Sequence, residues 1–203
     1  MTTAFRACTQ GLTAAALLGM SIGAFAQGSL SSDIKASSAK SGSSFIGVEV
    51  GKPTYSTSCG DLAGLSCSNN GTSYSVTAGN MFTQNIGASL TYLDLGKADR
   101  AGGSVNAKGL NLSVLGELPL GDSVSLEGKV GGTYGITHVN VPAESGLVSG
   151  RATGFGLGYG VGLDVHVARG LRGHVGWESH DFHFVGQGTS NVKNITVGLG
   201  YQF

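Results

Sequence analysis

The sequence is short of charge. Only 12% of its 203 residues are Asp, Glu, Lys or Arg, about half of the ~25% found in an ordinary soluble domain. Lys+Arg and Asp+Glu each number 12, so the formal net charge is zero. With no basic excess to neutralise phosphates, nucleic acid is excluded as a partner. Proline is also scarce, at 3 residues, and cysteine numbers 3. No stretch stays apolar long enough to cross a membrane as a helix, which takes about 18–20 residues. What is abundant is glycine, at 36 residues, within a chain that is 40% hydrophobic. The glycines follow no three-residue period, which excludes collagen, and the hydrophobic content excludes disorder over most of the chain.

The N-terminus reads as an export signal. Arg6 supplies positive charge, Leu12 to Gly23 is apolar and uncharged, and Ala24-Phe25-Ala26 gives a small-x-small cleavage pattern. The expected organisation is a signal peptide over residues 1–26, a flexible segment over 27–44 rich in Ser, Ala, Gly and Lys, and a folded domain over 45–203. Cys8 leaves with the signal, and Cys59 and Cys67 remain in a Gly/Ser/Asn-rich stretch. Two nearby thiols exported to an oxidising compartment are expected to form a disulfide, and the pair offers too few ligands for a metal.

The dominant pattern beyond residue 45 has period two. Ile46, Val48 and Val50 alternate with Gly47, Glu49 and Gly51; Ile86, Ala88, Leu90 and Tyr92 alternate with Gly87, Ser89 and Thr91. The same alternation recurs eight times, ending in Ile195, Val197, Leu199, Tyr201 and Phe203. It is the spacing of β-strands, and it predicts an all-β, eight-stranded antiparallel barrel. One face carries large aliphatic and aromatic residues, while the other carries Gly, Ser, Thr and a few charges. A narrow eight-stranded lumen suits the small polar face, so the apolar face points outward, where lipid makes it tolerable. The alternative, a soluble calyx of the lipocalin kind, needs the reverse arrangement. Short turns are expected at Thr83–Asn85, Pro119–Asp122 and Ala168–Gly170, and long loops at Pro53–Gly71, Gly96–Ala107, His138–Arg151 and His180–Asn191. That alternation places the short turns and the chain ends on the periplasmic side.

The last strand ends in Thr196, Gly198, Tyr201 and Phe203, spaced polar-x-Gly-x-x-aromatic-x-aromatic. It is similar to the β-signal read by the outer-membrane insertion machinery, which would engage an extended strand by main-chain bonding. The segments Tyr92-Leu-Asp-Leu-Gly-Lys97, Gly156-Leu-Gly-Tyr-Gly-Val-Gly162 and Trp177-Glu178 resemble those of the OmpA-like small outer-membrane β-barrel proteins. The resemblance covers about Phe45 to Phe203 and implies a cell outer membrane location. It also implies lipids, periplasmic chaperones and the insertion machinery as partners, a monomeric barrel, and a structural or surface-display role with a host or surface ligand at the loops. A small or gated pore is the alternative. Since the chain stops at Phe203, no peptidoglycan-binding domain is expected to follow.

Inward-facing charges are expected at Glu49, Glu117, Glu127, Lys129, Asp164, His166, Arg172, His174 and Glu178. Inside a narrow barrel they must pair or stay hydrated, so Lys129 and Arg172 are expected to meet some of Glu117, Glu127 and Glu178. Ser179, His180 and Asp181 suggest the Ser/His/carboxylate chemistry of lipid A-modifying barrels, but neighbours on a strand face opposite ways. No enzyme is therefore expected. His180-x-x-His183 is too loose for a metal site, and none is expected. The Gly-rich run Gly154–Gly162 is a strand by its period, so no nucleotide or other cofactor is expected.

Overall fold

The computed structural model describes residues 41–56, 71–100, 102–142, 148–186 and 188–203. The expected signal peptide and the Cys59–Cys67 pair lie outside them. Eight strands follow one another: β1 Ser44–Tyr55, β2 Ser73–Met81, β3 Ile86–Arg100, β4 Gly103–Pro119, β5 Val124–Asn140, β6 Gly150–Ala168, β7 Leu171–Phe184 and β8 Gly188–Gln202. Each pairs antiparallel with the next, and β8 returns to β1, closing the barrel. The seam is tied at the chain end, where Ser44 and Phe203 exchange backbone hydrogen bonds of 3.1 and 2.9 Å. β1 starts at Ser44, the last residue of the segment expected to be flexible.

The alternation sets which residues face lipid. Leu112 is 65% exposed, Ile195 61% and Phe155 75%, all on the outer face. Ser113, Asn111 and Thr196, one residue away or less on the same strands, are buried in the lumen. The outward belt runs without a charge from the short-turn end up to Lys52 on β1, the Asp94–Lys108 pair (2.7 Å) between β3 and β4, and Lys193 on β8. An uncharged belt avoids the ~2–4 kcal/mol that each Lys or Arg costs near the bilayer midplane.

Two expectations are corrected. Gly96–Ala107 and His180–Asn191 are not long loops. β3 and β4 pair as far as Arg100 and Gly103, and β7 and β8 as far as Phe184 and Gly188. A bulge between Asp94 and Lys97 carries β3 through, with Gly96 at φ +66° and its N–H donating 3.1 Å to the Asp94 carboxylate. The residue type misled because polarity changes sides beyond the belt. There the outward residues are polar (Thr54, Asp99, His138, Asn140, Asp181, His183), and the lumen is filled by Tyr55, Leu95, Val105, Val139, Phe182, Phe184 and Val192. The lumen is therefore not hydrophilic throughout. Its loop end is an ordinary hydrophobic core, because water rather than lipid surrounds it.

Candidate functional site

The middle of the lumen is polar and layered. On β5, Ser125, Glu127, Lys129 and Thr133 point inward, and on β7 Arg172, His174, Glu178 and His180 do so. Lys129 Nζ donates to Glu178 Oε1, an ion pair across the bore from β5 to β7. The other Glu178 oxygen accepts from His180 Nε2 at 3.0 Å. His180 Nδ1, the other ring nitrogen, lies 3.0 Å from the Thr133 hydroxyl. Thr133 in turn accepts from Asn111 Nδ2 at 2.9 Å, and Asn111 Oδ1 accepts from Ser113. The side chains from Lys129 to Ser113 are thus joined by one continuous run of hydrogen bonds, which holds a buried polar network together. Nearer the short turns, Arg172 meets Glu117 at 3.4 Å and stacks over Phe45 at 5.4 Å, and Ser125 donates to Glu117 at 2.7 Å.

The remaining inward groups form a second layer. His174 Nδ1 lies 3.0 Å from Asp164 Oδ1 across the β6–β7 pair. Glu49 accepts from Ser75 at 3.4 Å. Glu127 faces the same space as Asp164 and His174. His166 also faces inward, its Nδ1 buried. Glu49, Glu127, Asp164 and His174, together with Lys129 and Arg172, line a cavity of about 40 Å³, room for about three waters. Above it lies the apolar cluster, with the Tyr55 hydroxyl donating to the Leu95 and Gly96 carbonyls at 3.1 and 3.0 Å. Below it Phe45, Met81 and Leu115 form a smaller apolar cluster.

Lys129 and Arg172 thus meet Glu178 and Glu117, while Glu127 meets neither by a hydrogen bond among the described residues. Ser179 and His180 face opposite ways. Ser179 accepts from Asn191 on the outside, and His180 belongs to the lumen network. His183 also faces outward, 3.1 Å from Thr189, so it shares no site with His180. Thr196 and Gly198 line the lumen, and Tyr201 and Phe203 face out, their rings stacked at 6.4 Å. The network members Asn111, Thr133 and His180 and the whole apolar plug escaped the sequence reading. The signal for the plug was present: the alternation changes sign at Leu95, Val105 and Phe182.

No curated protein matches the chain. Among solved structures, Neisserial surface protein A superposes with a TM-score of 0.62 at 14% identity, covering 80% of this chain and 99% of that one. The outer membrane protein OprG of Pseudomonas aeruginosa gives 0.58 at 17% identity, over 84% and 99%. Ail, the attachment invasion locus protein of Yersinia pestis, gives 0.54 at 16%, over 80% and 99%. At these identities the likeness is one of fold. A family model for the outer membrane protein beta-barrel domain matches residues 12–203, nearly the whole sequence. The chain belongs to that family and is a small eight-stranded barrel of the outer membrane.

Proposed function

We propose that this barrel serves as a structural and surface-display protein without catalysis or conduction of its own. The observation that carries this reading is the division of labour along the strands. Buried apolar side chains cluster on both sides of the polar layer of the lumen, while β3–β4 and β7–β8 continue beyond the lipid belt as paired ribbons. We read this packing as a sealed bore, which counts against the pore alternative. The outward rim offers exposed Lys52, Lys97, Arg151 and Lys193 to an extracellular ligand. Ail of Yersinia pestis has been crystallised in complex with the heparin analogue sucrose octasulfate, so a barrel of this fold is able to hold a polyanionic saccharide. In the same reading Thr196, Gly198, Tyr201 and Phe203 act during assembly, before both edges of β8 are taken up by β7 and β1.

The test is to shorten the β3–β4 and β7–β8 ribbons to the level of the belt. The variants should keep a compact, heat-modifiable band on gels of unboiled protein and lose binding of whole cells to host surfaces or immobilised heparin. Unchanged binding refutes display by these ribbons. Planar-bilayer recording of the wild type should show no discrete conductance, and Arg172→Ala should gain none; steps in either overturn the sealed bore. Lipid A mass spectra should not change on overexpression, and a new acylation state would make the protein an enzyme.

A further inference from the structure

We propose that Glu127, Asp164 and His174 form a binding site for one divalent transition-metal ion, of the Zn²⁺ type, in the lower half of the lumen. The three residues come from consecutive strands. In the register, Glu127 lies opposite Gly162 on β6, and Asp164 lies opposite His174 on β7. One ligating atom from each lies within 4.8 Å of the other two. No spacing in the sequence announces this set, because the barrel wall assembles it.

Four observations point to a cation. Asp164 is only 4% exposed, and its Oδ2 is buried with no hydrogen-bond partner while Oδ1 serves His174. The Glu127 carboxylate has no hydrogen-bonding or ion-pair partner among the described residues. The two cations that share the cavity wall make their bonds to other acids, Lys129 to Glu178 and Arg172 to Glu117. All three residues line the same cavity of about 40 Å³, which accommodates an ion with its remaining waters. Two carboxylates left without a bonded cation are costly in so confined a space, and a protonated His174 answers only one oxygen of one of them. A divalent ion answers both.

The donor set selects the class of ion. One imidazole with two carboxylates, completed by water, suits zinc and its first-row neighbours; calcium and magnesium prefer oxygen alone. The imidazole is also held in place. A Cβ at Gly162 would lie 2.4 Å from His174 Cε1, and one at Gly176 would lie 2.5 Å from its Nε2. These two glycines leave a slot that admits the ring and keeps Nδ1 on the side of Asp164.

The experiment uses the mature protein extracted in detergent, stripped with a chelator and titrated with Co²⁺ as a coloured stand-in. One Co²⁺ per chain should bind with visible ligand-field bands, be displaced by stoichiometric Zn²⁺, and persist in excess Mg²⁺. Glu127→Gln, Asp164→Asn and His174→Gln should each weaken binding at least about tenfold, whereas His183→Gln should not. Heat-modifiable mobility identifies which variants fold. For any that do not, X-ray absorption of the Zn²⁺-loaded wild type decides, and it should show one imidazole among oxygen ligands. Absence of the Co²⁺ bands, binding retained in a folded Glu127→Gln/His174→Gln double variant, or a zinc shell without imidazole overturns the site.

Discussion

Lys129→Met leaves the Glu178 carboxylate inside the barrel without its ammonium partner. Glu178 is 1% exposed, so bulk solvent does not reach it. Removing one member of a buried ion pair costs ~3–5 kcal/mol, and the lower end of ~3 kcal/mol applies here because His180 Nε2 still donates to Glu178 Oε2. Glu178→Gln takes the bonded partner from the Lys129 ammonium and should cost up to about as much, less what Glu49 and Glu127 in the same cavity recover. In the double variant Lys129→Met/Glu178→Gln neither member of this pair is left as an unpartnered charge, and the Gln carbonyl still accepts from His180. The double should therefore lie within about 1 kcal/mol of the wild type, and the two losses should be far from additive. The assay is urea unfolding of protein refolded into lipid vesicles, followed by fluorescence. The chain has one Trp, Trp177, which sits on the lipid face 5.9 Å from Tyr159 and so reports directly on leaving the bilayer. A Lys129→Met variant within about 0.5 kcal/mol of the wild type, or additive losses in the double, would refute the claim that this pair is coupled and buried.

Three further outcomes test the assignment of faces. Gly135→Ala places a methyl 2.3 Å from the buried Phe182 ring and should cost ~1–3 kcal/mol, whereas Gly132→Ala meets nothing within 4 Å and should be tolerated; paired urea titrations compare them. Leu112→Arg, on the lipid face, should lose ~2–4 kcal/mol and insert poorly, while Leu112→Phe should insert normally, as judged by the heat-modifiable band. Phe182→Ala empties part of the apolar plug and should lose ~3–5 kcal/mol in the same titration.

The strand count and the lipid-facing set were legible because each outward residue repeats at two-residue spacing against a nearly uncharged background. Ile195, Val197, Leu199 and Tyr201 define a face without help from any other strand. The upper ends of β3, β4, β7 and β8 were not legible, since Leu95, Val105 and Phe182 put apolar side chains on the face that is polar lower down. A pattern that changes sign looks like a pattern that stops. The inward charges were legible as a list but not as pairs. Parity states that Lys129 and Glu178 share the lumen. Which acid lies level with Lys129 depends on the stagger of strands around the closed barrel, a property of the whole wall. The Glu127–Asp164–His174 group was illegible as a group for the same reason.

The change of sides along the strands also anchors the molecule vertically. Sinking by two residues would drag Lys52, Lys108 and Lys193 into hydrocarbon; rising by two would lift Tyr74, Phe155 and their neighbours into water. Both displacements are resisted, so a bilayer of different thickness must stretch or thin around this protein instead of sliding along it.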